Sequence, residues 1–550
     1  LKKFYNEERV SQPGSVVLRE WNAQRAAEKA RQSKGGTGKR MYAGAAMNRL
    51  NGEWPVLNTS ADSEIITSLR VLRARSRELV RDNEYAKAAM RLIKNNVVGS
   101  GIGMQAQVKT ASGKLLGSMN DAIEEAWEEW TDKDTCDPAG KLCFADMERL
   151  IMGSIPENGE VLVRKIRQPF GRGKIPYALE LIEADRLVDQ WSMARAENGN
   201  VIRMGVEQDR WGRAVAYWFY PTHPGDYQFQ HFVESALVRV PAEEIFHLFV
   251  PERIGQTRGV PWMHATIKRL RHMSGYEEAE IVAARAAASI VGIIESEEDL
   301  VPDGLDDDDD AGGREPPVLT MQPGTFQQLQ PGEKFTGFNP SRPNTGLDPF
   351  MRYMLRAFAT GVGVSYASVS SDYSQSNYSS SRLALLDERD CWRVLQGWLI
   401  RNFRMQVHRD WMEAAVLAGE LSIPDYYTRQ KKYWAVRFKP RGWSWIDPTK
   451  EVAAYVQAVR AGFMTVSDVI GLTSEHSDAE DVFKQRREEL DLMAEMNLVF
   501  DTNSAQTDKK GAGQEGTSSD LPAPGPDDGG DPPPEDGSDK PAAGDSQNDE

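Results

Sequence analysis

The chain has 550 residues and a net charge of −16, with 40% hydrophobic and 27% charged residues. This composition excludes a wholly disordered chain, a collagen and a membrane bundle, and the length suggests roughly three to four modules. The most apolar run, 281–294, contains Arg285 and is too short to span a bilayer, so no membrane partner is expected. Leu1-Lys2-Lys3 has charge but no apolar stretch behind it, and no secretory signal is expected. Three cysteines cannot build a disulfide framework, which points to assembly in a reducing compartment. Charge is unevenly spread: the first fifty residues carry +7, the last fifty −10, and the middle about −13. A protein that grips DNA shows a basic footprint over its folded part, and this chain does not.

Residues 1–60 read as a mobile basic arm, with an exposed helix at 19–32 interrupted by Gly35-Gly36-Thr37-Gly38. Helical periodicity begins near Ser63, with Leu69, Leu72, Leu79 and Val80 on one side. Further helices are expected at 83–98, 116–132 and 144–155. The pattern then becomes strand-like at 160–166, 178–182, 201–206, 214–219 and 244–249. A long helix follows at 262–291, basic early at Lys268, Arg269 and Arg271 and alanine-rich late. Next come a loop with five consecutive aspartates, Asp306 to Asp310, short strands near 318–321 and 325–329, and a second helix at 348–360. Residues 365–381 are almost entirely Ser, Tyr, Asn, Gln and Asp. A long helix is expected at 382–418, two or three more at 448–497, and no core beyond 501. The fold class is α+β and predominantly helical.

Catalytic signatures are missing. Gly35 to Lys39 lacks the upstream glycine and the following Ser/Thr of a phosphate loop. Cys136 and Cys143 have no histidine nearby for a zinc set and read as two buried thiols. His247 sits in a strand as a satisfied group. The aspartate run lacks the alternation of a calcium loop. No enzyme, metal or cofactor is expected.

The informative stretch is 338–398. It runs Leu355-Arg356-Ala357-Phe358-Ala359-Thr360-Gly361-Val362-Gly363-Val364-Ser365-Tyr366, then Ser370-Ser371-Asp372-Tyr373-Ser374, then Asn377-Tyr378-Ser379-Ser380-Ser381-Arg382. Asn95-Asn96-Val97-Val98-Gly99, Glu157-Asn158-Gly159-Glu160 and Gly255-Gln256-Thr257-Arg258-Gly259-Val260-Pro261 precede it in order. Over about residues 60–495 the sequence resembles the lambda-type portal proteins of tailed bacteriophages.

The resemblance implies a ring, usually of about twelve subunits, at one capsid vertex of the virion. It implies that double-stranded DNA passes through the ring during packaging and ejection. The implied partners are further copies of the chain, the terminase large subunit, major capsid and scaffold proteins, and head-completion or adaptor proteins, with assembly in the host bacterial cytoplasm. Laid on this chain, the family's parts are an arm at 1–60, a wing at 61–261 and a first stem helix at 262–291. A clip follows at 292–345, a second stem helix at 346–362 and a tunnel loop at 363–381. A long wing helix with its return occupies 382–447, crown helices 448–500 and an acidic tail 501–550. The loop residues expected at the channel are Tyr366, Ser370, Ser371, Asp372, Tyr373, Ser374, Gln375, Ser376, Asn377 and Tyr378. Lys268, Arg269 and Arg271 form either a basic ring that damps backward slip or an exposed face pairing with acids of the next subunit. The competing readings are a DNA-gripping head-joining protein without a channel, and a metal-dependent hydrolase using the aspartate run.

Overall fold

The computed structural model describes residues 49, 56, 58–226, 237–289, 292–296, 333–337, 345–374, 377–443, 448–473, 479–496 and 498. The basic arm up to 48, the aspartate run, the strands expected at 318–321 and 325–329, and the acidic tail lie outside these residues. The chain divides into two units, 1–64 and 65–550. In the first, Ser60 Oγ accepts the Ser63 N–H at 3.3 Å where a helix begins.

That helix is α1 (Ala61–Asp82), and Asn83 separates it from α2 (Glu84–Val97). The Asn83 side-chain oxygen accepts the N–H groups of Tyr85 and Ala86 at 3.1 and 3.0 Å, satisfying two of the donors a helix start leaves open. Ala86, Ala89, Met90, Ile93 and Val97 recur at three- and four-residue spacing and are all buried. Gly99, with φ 65°, supplies the left-handed backbone that lets the chain leave α2. After the short strand β1 (Gly103–Ala106) come α3 (Gly117–Trp130) and α4 (Phe144–Asn158). Ile123, Trp127 and Trp130 bury the one face that their spacing predicts.

The strands between residues 160 and 249 form two small antiparallel sheets. One has the order β3 (Ala178–Ile182), β2 (Glu160–Ile166), β8 (Ile245–Phe249). The other runs β4 (Val201–Arg203), β5 (Val206–Gln208), β6 (Ala214–Phe219), β7 (Val238–Pro241). The single strand expected at 201–206 is therefore a hairpin. Met204 and Gly205 take φ 47° and 81°, the positive pair that a two-residue hairpin turn needs. A second core of Leu162, Ile182, Val206, Tyr217, Phe219 and Ile245 lies among these strands.

Beyond them, α5 (Ile267–Ser289) follows a single 3-10 turn at Trp262–Ala265, so the helix expected from 262 starts five residues later. Strands β9 (Gly292–Ser296) and β10 (Glu333–Gly337) pair antiparallel and close the base of the segment between them. Then α6 (Leu347–Val362) returns alongside α5, with the Tyr276 and Phe350 rings 4.7 Å apart. Gly361 is required there: a Cβ would lie 2.2 Å from the Thr266 methyl. A short helix α7 (Tyr366–Ser370) leads to α8 (Tyr378–Leu399), a π turn (Ile400–Arg404) and α9 (Met405–Ala418). Strand β11 (Val436–Lys439) pairs with β1, far earlier in the chain, so that Gly103 faces Lys439. Last come α10 (Pro448–Arg460), α11 (Val466–Thr473) and α12 (Ala479–Glu495). Among the described residues no helix is long and apolar enough to cross a membrane.

The main core joins α2, α3 and α4 to α8 and α9. Trp127 and Trp411 meet edge to face at 5.0 Å, and Phe144 stacks on Phe403 at 5.9 Å. Cys136 is buried as expected, whereas Cys143 is only half-buried because it sits at the start of α4.

Candidate channel-lining segment

The polar run after α6 is held from both sides. Gly363, with φ 84°, ends α6 and donates its N–H to the Ala359 carbonyl at 2.9 Å. Ser365 then caps α7, its Oγ accepting the Ser368 N–H at 3.2 Å. Glu388 reaches in from α8 and accepts three donors: Ser365 N–H at 3.0 Å, Ser365 Oγ at 3.1 Å and Ser368 Oγ at 2.8 Å. Val364 and Val369 are buried beneath. Residues 365–370 are thus a pinned helical turn rather than an open loop. Serine is suited to this role because its short hydroxyl can cap a helix and reach a neighbouring carboxylate at once.

The chain turns outward at Ser371, a non-glycine residue at φ 54°. Asp372 accepts the Tyr366 hydroxyl at 2.8 Å, the Ser374 hydroxyl at 2.6 Å and the Ser374 N–H at 3.1 Å. These bonds, Ser374 first and then Tyr366, hold its carboxyl down to about 2. Arg352 Nε lies 3.5 Å from the same carboxylate and 2.9 Å from Asp348. The Arg356 guanidinium stands 5.3 Å over the Tyr366 ring. Ser370 turns its hydroxyl back to the Tyr366 carbonyl at 2.8 Å.

Ser371, Tyr373, Ser374 and Asn377 are exposed, Tyr373 to 62%. Asn377 starts α8 as a capping box, its side chain accepting the Ser380 N–H at 2.8 Å. Gln375, Ser376 and the Tyr378 side chain lie outside the described residues. Of the segment named from sequence, Tyr366, Ser370 and the half-buried Asp372 bond within the fold, while Ser371, Tyr373, Ser374 and Asn377 are exposed.

Lys268 and Arg271 are exposed on one side of α5, three residues apart. Arg269 turns away and lies half-buried, its Nη1 donating toward Met354 Sδ on α6 at 3.8 Å. The three basic residues therefore do not share one face.

Two other polar centres escaped sequence reasoning. Glu160 at the start of β2 is fully buried and accepts Arg73 Nη2 at 2.5 Å, Arg258 Nε at 2.7 Å, His247 Nε2 at 2.9 Å and the Gly259 N–H at 2.8 Å. Burial alone would raise its carboxyl. Arg258, then Arg73 and His247, outweigh that and hold it well below the usual range. The motifs around Glu160 and Arg258, separate in sequence, are thus one structural joint. A Cβ on Gly259 would lie 2.1 Å from the Gly159 carbonyl oxygen, so only glycine lets the two backbones meet.

Glu183, Asp185 and His223 also converge, with potential ligand atoms within 4.8 Å of one another. His223 Nδ1 accepts the Gly225 N–H at 3.0 Å, which leaves the ring proton on Nε2, 3.1 Å from Glu183. Arg77 already pairs with Asp185. Asp185 therefore already has a cationic partner within the protein.

Comparison with known proteins places the chain in a family. The family model for "phage portal protein, lambda family" matches residues 47–396, and the chain belongs to that family. A probable portal protein of Halomonas phage phiHAP-1 is 32% identical over 454 residues, covering 82% of this chain and 86% of its own length. Portal protein B of Escherichia phage lambda is 23% identical, covering 79% and 86%. A chain from the neck of a native GTA particle, determined with C12 symmetry, aligns with 74% of this chain and 99% of its own at 14% identity and a TM-score of 0.40. As a member of this family the protein is a phage portal protein, a structural head–tail connector and not an enzyme.

Proposed function

We propose that the protein closes into a ring of about twelve copies at one capsid vertex, and that double-stranded DNA is packaged and ejected through its bore. In this reading α5 and α6 are the stem, the segment between them is the clip that receives the terminase large subunit, and the same end later binds head-completion or adaptor proteins. The wing meets major capsid and scaffold proteins, α10 to α12 are the crown, and residues 371–374 with Asn377 line the narrowest part of the channel. Assembly takes place in the host bacterial cytoplasm, in keeping with three unbridged cysteines.

The observation that carries the reading is the character of residues 371–374. Ser371, Tyr373 and Ser374 stand exposed between α6 and α8 with hydroxyls and one aromatic ring, Asp372 is half-buried among them, and the four hold no Lys or Arg. Each phosphate neutralised by a cation adds counterion-release affinity, and many such contacts around a ring would stall a moving duplex. Hydroxyls exchange weak bonds with any phosphate and with water, so the duplex passes.

An end-on electron micrograph of the purified protein tests this. It is expected to show an annulus with 371–374 at the inner rim. A stable monomer at high concentration, or an annulus with these residues at its outer edge, overturns the reading. The DNA-gripping alternative predicts strong duplex binding with a steep salt slope from the folded part, where the conduit predicts weak binding.

A further inference from the structure

Why should a stretch selected for neutrality contain Asp372 at all? Its surroundings answer this. Arg352 and Arg356 lie one turn apart on α6, at the foot of the exposed residues. Arg352 sits between two carboxylates, 2.9 Å from Asp348 and 3.5 Å from Asp372. Arg356 stands over Tyr366, whose hydroxyl donates to Asp372. Two arginines and two aspartates sum to zero charge. A guanidinium recognises carboxylate and phosphate with the same donor fork, so an internal carboxylate can hold the place that a phosphodiester would take.

We infer that Arg352, seconded by Arg356, is a masked binding site for DNA phosphodiesters, and that Asp372 is the residue that masks it. This rests on the reading of 371–374 as lining the bore. Asp372 is placed for the task twice over: Ser374 and Tyr366 fix its carboxylate, and Arg352 meets it from the helix. Asp348, on the first turn of α6, orients the guanidinium from the other side. Asp372 is a positioning residue for neutrality, and its removal uncovers a cation that the bore otherwise hides.

The test uses assembled full-length protein and a short blunt DNA duplex, with affinity measured from 50 to 200 mM salt. Rings are first sized by light scattering. Ser371→Lys, which places a cation at the exposed turn, reports whether the segment meets DNA. Asp372→Asn is expected to bind more tightly than wild type, with a log–log salt slope steeper by about 0.9 for each further phosphate neutralised, or about 3.5-fold per phosphate across that range. Adding Arg352→Gln to Asp372→Asn is expected to return the slope to the wild-type value. Asp348→Asn, at an exposed position that leaves the loop contacts intact, is expected to raise affinity in the same direction. If Ser371→Lys tightens binding and Asp372→Asn does not, or if Arg352→Gln fails to reverse the tighter binding, the mask is disproved while the bore reading stands. If Ser371→Lys also leaves binding unchanged, both fall.

Discussion

At the scale of single residues, stability concentrates where charges are buried with full partners. Glu160 is the clearest case. Removing one partner of a buried ion pair leaves the other charge uncompensated, which costs about 3–5 kcal/mol. Arg258→Met is therefore expected to lower the unfolding free energy by that order, measured by denaturant titration. Gly259→Ala at the same joint drives a Cβ into backbone and is expected to cost about 3 kcal/mol, seen as a drop in melting temperature. Glu207 on β5 is a separate centre. It accepts Arg239 at 2.8 Å, Asn198 at 2.7 Å and Asn200 at 2.8 Å. Arg239 first, with the two amides, holds its carboxyl down to about 2. A carboxyl lowered in the folded state stabilises above its unfolded value and loses that contribution as pH falls. Wild type is thus expected to lose stability between pH 4.5 and 2 more steeply than Glu207→Gln, by acid titration of the melting temperature.

At the scale of elements, the long helix after the channel segment carries most of the lesson. Its expected span, 382–418, is helical, but the π turn at Ile400–Arg404 inserts a residue into its register. That turn delivers Arg404 to a buried site, 2.9 Å from Glu148 on α4, with its guanidinium 4.8 Å from the Phe438 ring. Burial pushes the Glu148 carboxyl up to about 7, against the pull of Arg404. Trp392, Leu399 and Phe403 are buried along this span, but the sequence gave no sign of the extra residue, because a π turn keeps the same composition. Periodicity also revealed α2, α3 and α4, where one face is buried. It missed β1, β7 and β11, which are four residues each; β1 and β11 also depend on each other across the length of the chain. The channel segment was visible as a polar run between two helices. Its inner half was not recognised as folded, since Ser365 and Ser368 find their acceptor, Glu388, on another helix. The Asn377 cap is a further element-level test: Asn377→Ala is expected to cost about 1 kcal/mol of α8 stability, detected as faster hydrogen exchange over its first turn.

At the scale of the whole molecule, the proposed function turns on how charge is distributed. The charge of about −13 carried by residues 51–500 includes the aspartate run, which lies outside the described residues, and the exposed Ser371, Tyr373 and Ser374 between α6 and α8 add no cation. Under the proposed function such a segment would neither attract nor arrest a polyanion, which is what a passage requires and a clamp does not. In the proposed ring the same inward face would repeat in every subunit, so even one added cation per chain would be multiplied around the bore.

The most direct measurement is the rate of DNA packaging into capsids that carry Ser371→Lys in place of the wild-type chain. The predicted result is slowed or stalled packaging in particles whose rings assemble normally. Packaging at the wild-type rate through intact variant rings would contradict the account.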